Sequence, residues 1–159
     1  MSRIVSILET GKSPPATAAA QLGSDGERIA ALYLETNGNV LVVSNFKVPI
    51  GRNSRGVAVT GEIDIICLDG EVLCFVEVKT KASEEFAAPI AAVNLRKQRQ
   101  ITRTARIYRR IFRLQDMSYR FDVVSIVMGP GRRPAIEHIK GFWAESKFRK
   151  KRAWSGDIY

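Results

Sequence analysis

At 159 residues the chain is one ordinary domain, long enough for a single core. No window approaches the roughly 20 apolar residues of a membrane span, and Ile4-Val5-Ser6-Ile7-Leu8 is too short for a secretory signal and runs into Glu9; membrane-spanning and exported classes are set aside, and a cytoplasmic location is the expectation. The formal net charge of +9 is uneven: residues 1–90 carry 8 Lys and Arg against 11 Asp and Glu, whereas residues 91–159 carry 17 against 5, so the second half is the surface that attracts a polyanion, in a strongly salt-dependent way.

Residues 1–22, with Ser13-Pro14-Pro15 and a run of alanines, read as a flexible extension. Ser24-Asp25-Gly26-Glu27 has the form of a capping box, and Ile29, Leu32, Tyr33 and Thr36 follow at helical spacing until Asn37-Gly38 ends the helix. Glu27 therefore has two readings, a capping carboxylate or a metal ligand, and the spacing favours neither. Val40 to Phe46 is a strand, and Lys47 to Thr60 reads as a basic, glycine-containing loop.

Strands from about Glu62 to Leu68 and Val72 to Thr80 flank Asp69-Gly70, a strong signal for a two-residue hairpin turn. Pairing Leu68 with Glu71 sets Asp64 opposite Phe75 and Glu62 opposite Glu77, and the period of two puts Glu62, Asp64, Glu77 and Lys79 on one face. A one-residue slip would scatter them. Three carboxylates packed together repel unless a cation lies between them, and magnesium, a hard ion that keeps several waters, suits such a set. The competing reading is an exposed charge ladder, against which stands the nearly continuous apolar run Leu73-Cys74-Phe75-Val76 around Glu77. Cys67 and Cys74 lack any CxxC or Cys/His spacing and are read as packing residues rather than a zinc site or a disulfide.

Ser83 to Pro89 breaks the pattern, and Val93 to Phe112 is helical, with Ile101, Ala105 and Tyr108 in its apolar stripe. Arg96, Arg99, Arg103, Arg106, Arg110 and Arg113 recur at steps of three and four with no acidic residue between Asn94 and Gln115. An unpaired arginine stripe favours a phosphate track over a merely solubilising face; with Lys81 and Lys97, Arg96, Arg99, Arg103, Arg106 and Arg110 are the expected nucleic-acid contacts. Phe121 to Met128 is an apolar strand except for Asp122, and Ala135 to Ile139 adds a short edge strand. His138, the one histidine, is read as structural. Residues 142–159 form a tail of mixed basic and aromatic residues.

Asp64, a thirteen-residue interval and Glu77-Val78-Lys79 resemble the PD-(D/E)XK nuclease signature, with Ile63 in place of the proline. Gly26-Glu27-x-x-Ala30-x-x-Tyr33-Leu34, Asn45, Gly61-Glu62-Ile63-Asp64-Ile65-Ile66, Phe75 to Lys79, Lys97 and Phe121-Asp122-Val123-Val124 are together similar to the YraN family, regarded as endonuclease-like and distantly related to archaeal Holliday-junction resolvases. The resemblance implies that Glu27, Asp64 and Glu77 bind magnesium or manganese, that Lys79 is the catalytic lysine, and that Glu62 stands behind the ligands. It also raises a homodimer as an expectation. The element order α-β-β-β-α-β gives an α/β fold with a restriction-endonuclease-like core, a central mixed sheet flanked by helices, over residues 23–141. The leading function is a metal-dependent DNA endonuclease; the alternative is a non-catalytic nucleic-acid-binding module with a structural acidic cluster.

Overall fold

The computed structural model describes residues 17–83 and 93–149. These form α1 (Ala18–Thr36), β1 (Val40–Arg52), β2 (Ala58–Asp69), β3 (Val72–Lys81), α2 (Leu95–Ile111), β4 (Tyr119–Val127), β5 (Ala135–Trp143) and a short 3-10 turn at Glu145–Phe148. The five strands lie in sequence order in one sheet: β1, β2 and β3 are antiparallel, β3 and β4 are parallel neighbours joined through α2, and β5 returns antiparallel to β4. This is the expected α/β fold, a mixed sheet flanked by helices. Residues 1–16, the greater part of Ser83 to Pro89, and residues 150–159 lie outside the described residues.

Each face of the sheet buries its own cluster. Ile65, Cys67, Cys74, Val76, Val78, Val124 and Ile126 pack with Ala30 and Leu34 of α1. On the other face Ile63, Ile66, Phe75, Phe121 and Val123 pack with Ile101, Ala105 and Tyr108 of α2. Two glycines set how closely the helices lie. A Cβ on Gly26 would stand 1.8 Å from Thr80 Oγ1 of β3, and one on Gly61 would stand 2.0 Å from Thr104 Oγ1 of α2, so both helices seat on the sheet through positions where only a hydrogen fits. Free Cys67 and Cys74 face each other across β2 and β3.

Helix α1 begins earlier than the pattern predicts. Thr17 is its N-cap, its hydroxyl accepting from Ala20 N at 3.2 Å, and the alanines after it are the best helix formers. Ser24 and Asp25 therefore lie inside the helix, Asp25 accepting from Gln21 and Arg28 side chains, and residues 17–22 are not an extension. Glu27, ten residues into α1, has no free helix terminus to cap.

The expected loop from Lys47 to Thr60 is instead an extended hairpin: β1 continues to Arg52, and Asn53 turns the chain by accepting from Arg55 N and Val57 N. Pro49 and Gly51 hide this strand from a propensity reading, yet β1 is an edge, where a missing N–H is tolerated, and the pairing shifts register between these residues. The expected C-terminal tail likewise begins inside the fold. Strand β5 runs to Trp143, whose ring stacks on Phe121 at 4.8 Å and whose indole N–H donates to Thr102.

Candidate metal centre

The β2–β3 register differs from the expected one. Asp69 pairs with Val72 and Ile66 with Phe75, so the turn residues are Gly70 and Glu71, with Gly70 at φ 59° as a turn that opens on glycine allows. This moves every pair by two: a continuation of the ladder sets Asp64 across from Glu77, and Glu62 no longer faces Glu77. The recorded pairing ends at Ile65 and Val76. Beyond it the Asp64 carboxylate takes the place of a strand carbonyl, Oδ2 accepting from Val78 N at 2.7 Å.

Alternation also breaks at this point. Val43 and Phe46 both pack on the α2-side cluster, as do Ile63 and Ile66 across from them, although residues three apart on a strand should face opposite ways. Asn45, with φ 54°, is the left-handed residue that turns the strand over. Ile63 therefore faces α2, whereas Ile65 and Cys67, which strict alternation would put on its face, pack against α1. Glu62 turns the other way and pairs with Lys47 of β1 at 3.3 Å. The structure brings Asp64 and Glu77 together and leaves Glu62 outside.

Glu77 is 2% exposed. Its Oε1 is held by Lys79 Nζ at 2.8 Å and by Lys97 Nζ, reaching from the first turn of α2, at 3.3 Å. Its Oε2 is buried without a hydrogen-bond partner among the described residues. Asp64 is 8% exposed, and its carboxyl is pushed up to about 7 by burial and by the charge of Glu77, against the Val78 amide and Lys97, which favour the anion. Glu27, half-buried on α1, is near enough to add to that repulsion. Among the described residues no three Asp, Glu, His or Cys side chains converge as a ready cage; the site is a carboxylate pair with Glu27 standing off.

Lys97, expected as a nucleic-acid contact, reaches this cluster through its ion pair with Glu77. Lys81 lies two residues beyond Lys79 on β3. The arginine stripe of α2 is exposed at Arg96, Arg99, Arg103, Arg106 and Arg110, but it is not unpaired. Arg103 donates to Ile50 O at 2.5 Å, Arg106 pairs with Glu145 at 2.6 Å, and Arg99 lies over the Phe148 ring at 5.6 Å. The β1 extension and the turn after β5 supply these partners, which helix periodicity alone does not show. Arg96 and Arg110 have no ion pair among the described residues.

Two groups were missed. Asp122, fully buried on β4, accepts from Arg120 Nε at 2.9 and 3.1 Å, from Gly141 N at 2.9 Å, and lies 2.9 Å from His138 Nε2. Arg120 and Lys140 also bind Asp69 at 2.7 and 2.8 Å. A carboxylate inside an apolar strand, two residues after an arginine, was the available signal, and this network gives His138 its structural role. Ser125, the register partner of Lys79, buries a hydroxyl without a partner among the described residues; nothing in the sequence marked it.

The chain matches the model of the uncharacterised protein family UPF0102 over residues 26–126. It is 39% identical over 137 residues to a UPF0102 protein of Chlorobium chlorochromatii, covering 82% of this chain and 98% of that one. The UPF0102 protein of Geobacter metallireducens is 42% identical over 118 residues, 74% and 88% of the two chains; that of Nocardia farcinica is 37% identical over 75% and 86%. Among solved structures, one titled "Crystal structure of SSO0001" aligns with 82% of this chain and 56% of its own length at 17% identity and a TM-score of 0.37, too loose a likeness to inform the site.

Proposed function

The chain belongs to the UPF0102 family, the YraN family of the sequence resemblance, and from its own buried carboxylate pair we propose that it is a metal-dependent endonuclease that hydrolyses phosphodiester bonds in DNA. The observation that carries this reading is Glu77 Oε2, a carboxyl oxygen out of water and without a donor among the described residues, beside an aspartate whose carboxyl is held at about 7. The two lysines on Oε1 balance the charge of this carboxylate, but a buried acceptor oxygen left without a donor is still costly. Magnesium, which takes one or two carboxylates and fills its remaining positions with water and phosphate oxygens, fits the pair present. Asp64 and Glu77 would hold magnesium or manganese, with Glu27 nearest as a third carboxylate, and the ion would supply an activated water and neutralise charge at the phosphate.

The chain's own groups do the rest. Lys79 is 28% exposed at its side chain while its Nζ rests on Glu77, so its amine stands at the boundary between the carboxylates and solvent, placed to donate to a phosphate oxygen as charge develops there. Lys97 offsets the charge of Glu77 from the α2 side. Arg96, Arg110 and Lys81 extend the cationic surface along which a backbone would lie. A structured or branched DNA substrate, a product with a 5′-phosphate, action as a homodimer and a cytoplasmic location complete the proposal; no described helix is long and apolar enough to cross a membrane.

With magnesium, the native chain is expected to cut DNA, Glu77→Ala to fall to background, and Lys79→Ala to lose roughly 10²–10³ in rate. Equal rates for native chain and Glu77→Ala would mark a contaminating nuclease and end the assignment. A second reading, a non-catalytic nucleic-acid-binding module, is favoured by one feature: two lysines already sit on Glu77 Oε1. That reading gains if DNA is bound with a steep salt dependence but never cut with magnesium or manganese.

A further inference from the structure

In open α/β sheets, ligands gather at the carboxyl ends of the parallel strands. A cavity of about 350 Å³ opens there, where β3 and β4 end, lined by residues that include Ser83, Val127, Pro130, Arg132, Arg133 and Ala135. Val127 and Ala135 are register partners, and Val127 pairs with Lys81 just as Ser125 pairs with Lys79. Alternation from Val123, which packs toward α2, puts Ser125 and Val127 on the same face as Glu77 and Lys79. Strand rise and spacing place Val127 about 8 Å from Lys79. The cavity is thus the next stop along the sheet from the carboxylate pair, with the Ser125 hydroxyl, which has no partner among the described residues, between them.

Its chemistry is opposite in sign to that pair. No carboxylate lines it among the described residues, while two adjacent arginines do, both exposed and neither in an ion pair among the described residues. The turn Gly129-Pro130-Gly131, with Gly131 at φ 65° and Arg132 N donating to Gly129 O at 3.3 Å, holds them over the strand ends. Guanidinium groups suit phosphate oxygens because their N–H forks match them in pairs. We propose that this cavity is a phosphate subsite, holding the backbone phosphate that flanks the scissile one. It deepens, and rests on, the nuclease reading of the neighbouring carboxylates. The substrate is then a polynucleotide with a phosphate on that flank, and a diester of one linkage is a poor substrate.

The test measures binding of a short DNA duplex over a range of salt, in the Glu77→Gln background to prevent cutting, with and without Arg132→Gln and Arg133→Gln together. Loss of one phosphate contact is expected to weaken binding several-fold and to reduce the slope of log K against log salt by roughly 0.9. In the otherwise native chain the same pair is expected to raise KM with kcat held. An unchanged slope and affinity, while the native chain cuts DNA, overturns the subsite and leaves the nuclease standing. A reduced slope in a chain that never cuts with magnesium or manganese supports the subsite and removes the nuclease. Absence of duplex binding overturns the subsite.

Discussion

Replacing Asp64 by asparagine is expected to stabilise the metal-free protein at about pH 8 by up to about 4 kcal/mol, while abolishing cleavage. The carboxyl, ordinarily at 3.8, is held at about 7 by burial and by Glu77. Between those values the folded chain keeps a proton that the unfolded chain releases, so the stability of the native protein falls as pH rises through that window, at about 1.4 kcal/mol per pH unit, and is level above it. Asparagine offers the Val78 amide the same acceptor without the charge. The gain is therefore expected to shrink as pH falls through that window and to vanish below about pH 3, where Asp64 is protonated in both states. Magnesium is expected to raise the melting temperature of the native protein and leave that of Asp64→Asn unchanged, since a ligand stabilises only the state that binds it. An asparagine variant less stable than native at pH 8 would mean that the carboxylate contributes to the fold rather than burdening it.

The opposite effect is expected at Asp122. Burial pushes its carboxyl up, but the hydrogen bonds from His138, Arg120 and the Gly141 amide outweigh burial and hold it below the ordinary value. Its contribution is present above pH 3.8 and is lost as pH falls through its lower folded value. Asp122→Ala removes the acceptor and leaves Arg120, His138 and a backbone N–H facing a buried gap, so a loss of about 3–5 kcal/mol is expected in urea unfolding. A loss below about 1 kcal/mol would show that Arg120 finds enough compensation in Asp69 alone. The two aspartates thus carry opposite signs: one is surrounded by donors on every side, the other faces a second carboxylate.

That contrast also shows how far the sequence is legible. Period-two patterning located β2, β3 and β4, and the arginine-rich helix was readable from its apolar stripe at Ile101, Ala105 and Tyr108. The meeting of Asp64 and Glu77 was expected, but through the wrong register. Asp-Gly pointed to a turn centred on Asp69-Gly70, whereas Asp69 is drawn into the strand pair by Arg120 and Lys140, contacts more than 50 residues away in sequence. The placement of Glu62 failed for a different reason. Alternation assumes an unbroken strand, and a single left-handed Asn45 on the neighbouring strand accompanies a reversal of facing at the residue that matters. Helix α1 outran its apparent capping box because a better cap, Thr17, lay upstream, which took Glu27 from a helix end into a helix interior. The arginine stripe looked unpaired because its partners, Ile50 O, Glu145 and Phe148, come from segments that read as loop and tail.

The account turns on whether Asp64 and Glu77 are a cation site. Crystals of the native chain soaked in manganese, with anomalous scattering recorded at the manganese edge, test this most directly. The expected result is a peak between the two carboxylates, with Lys79 drawn off Glu77 and the peak absent from Asp64→Asn. A site without a peak, with Lys79 and Lys97 still resting on Glu77, would contradict it.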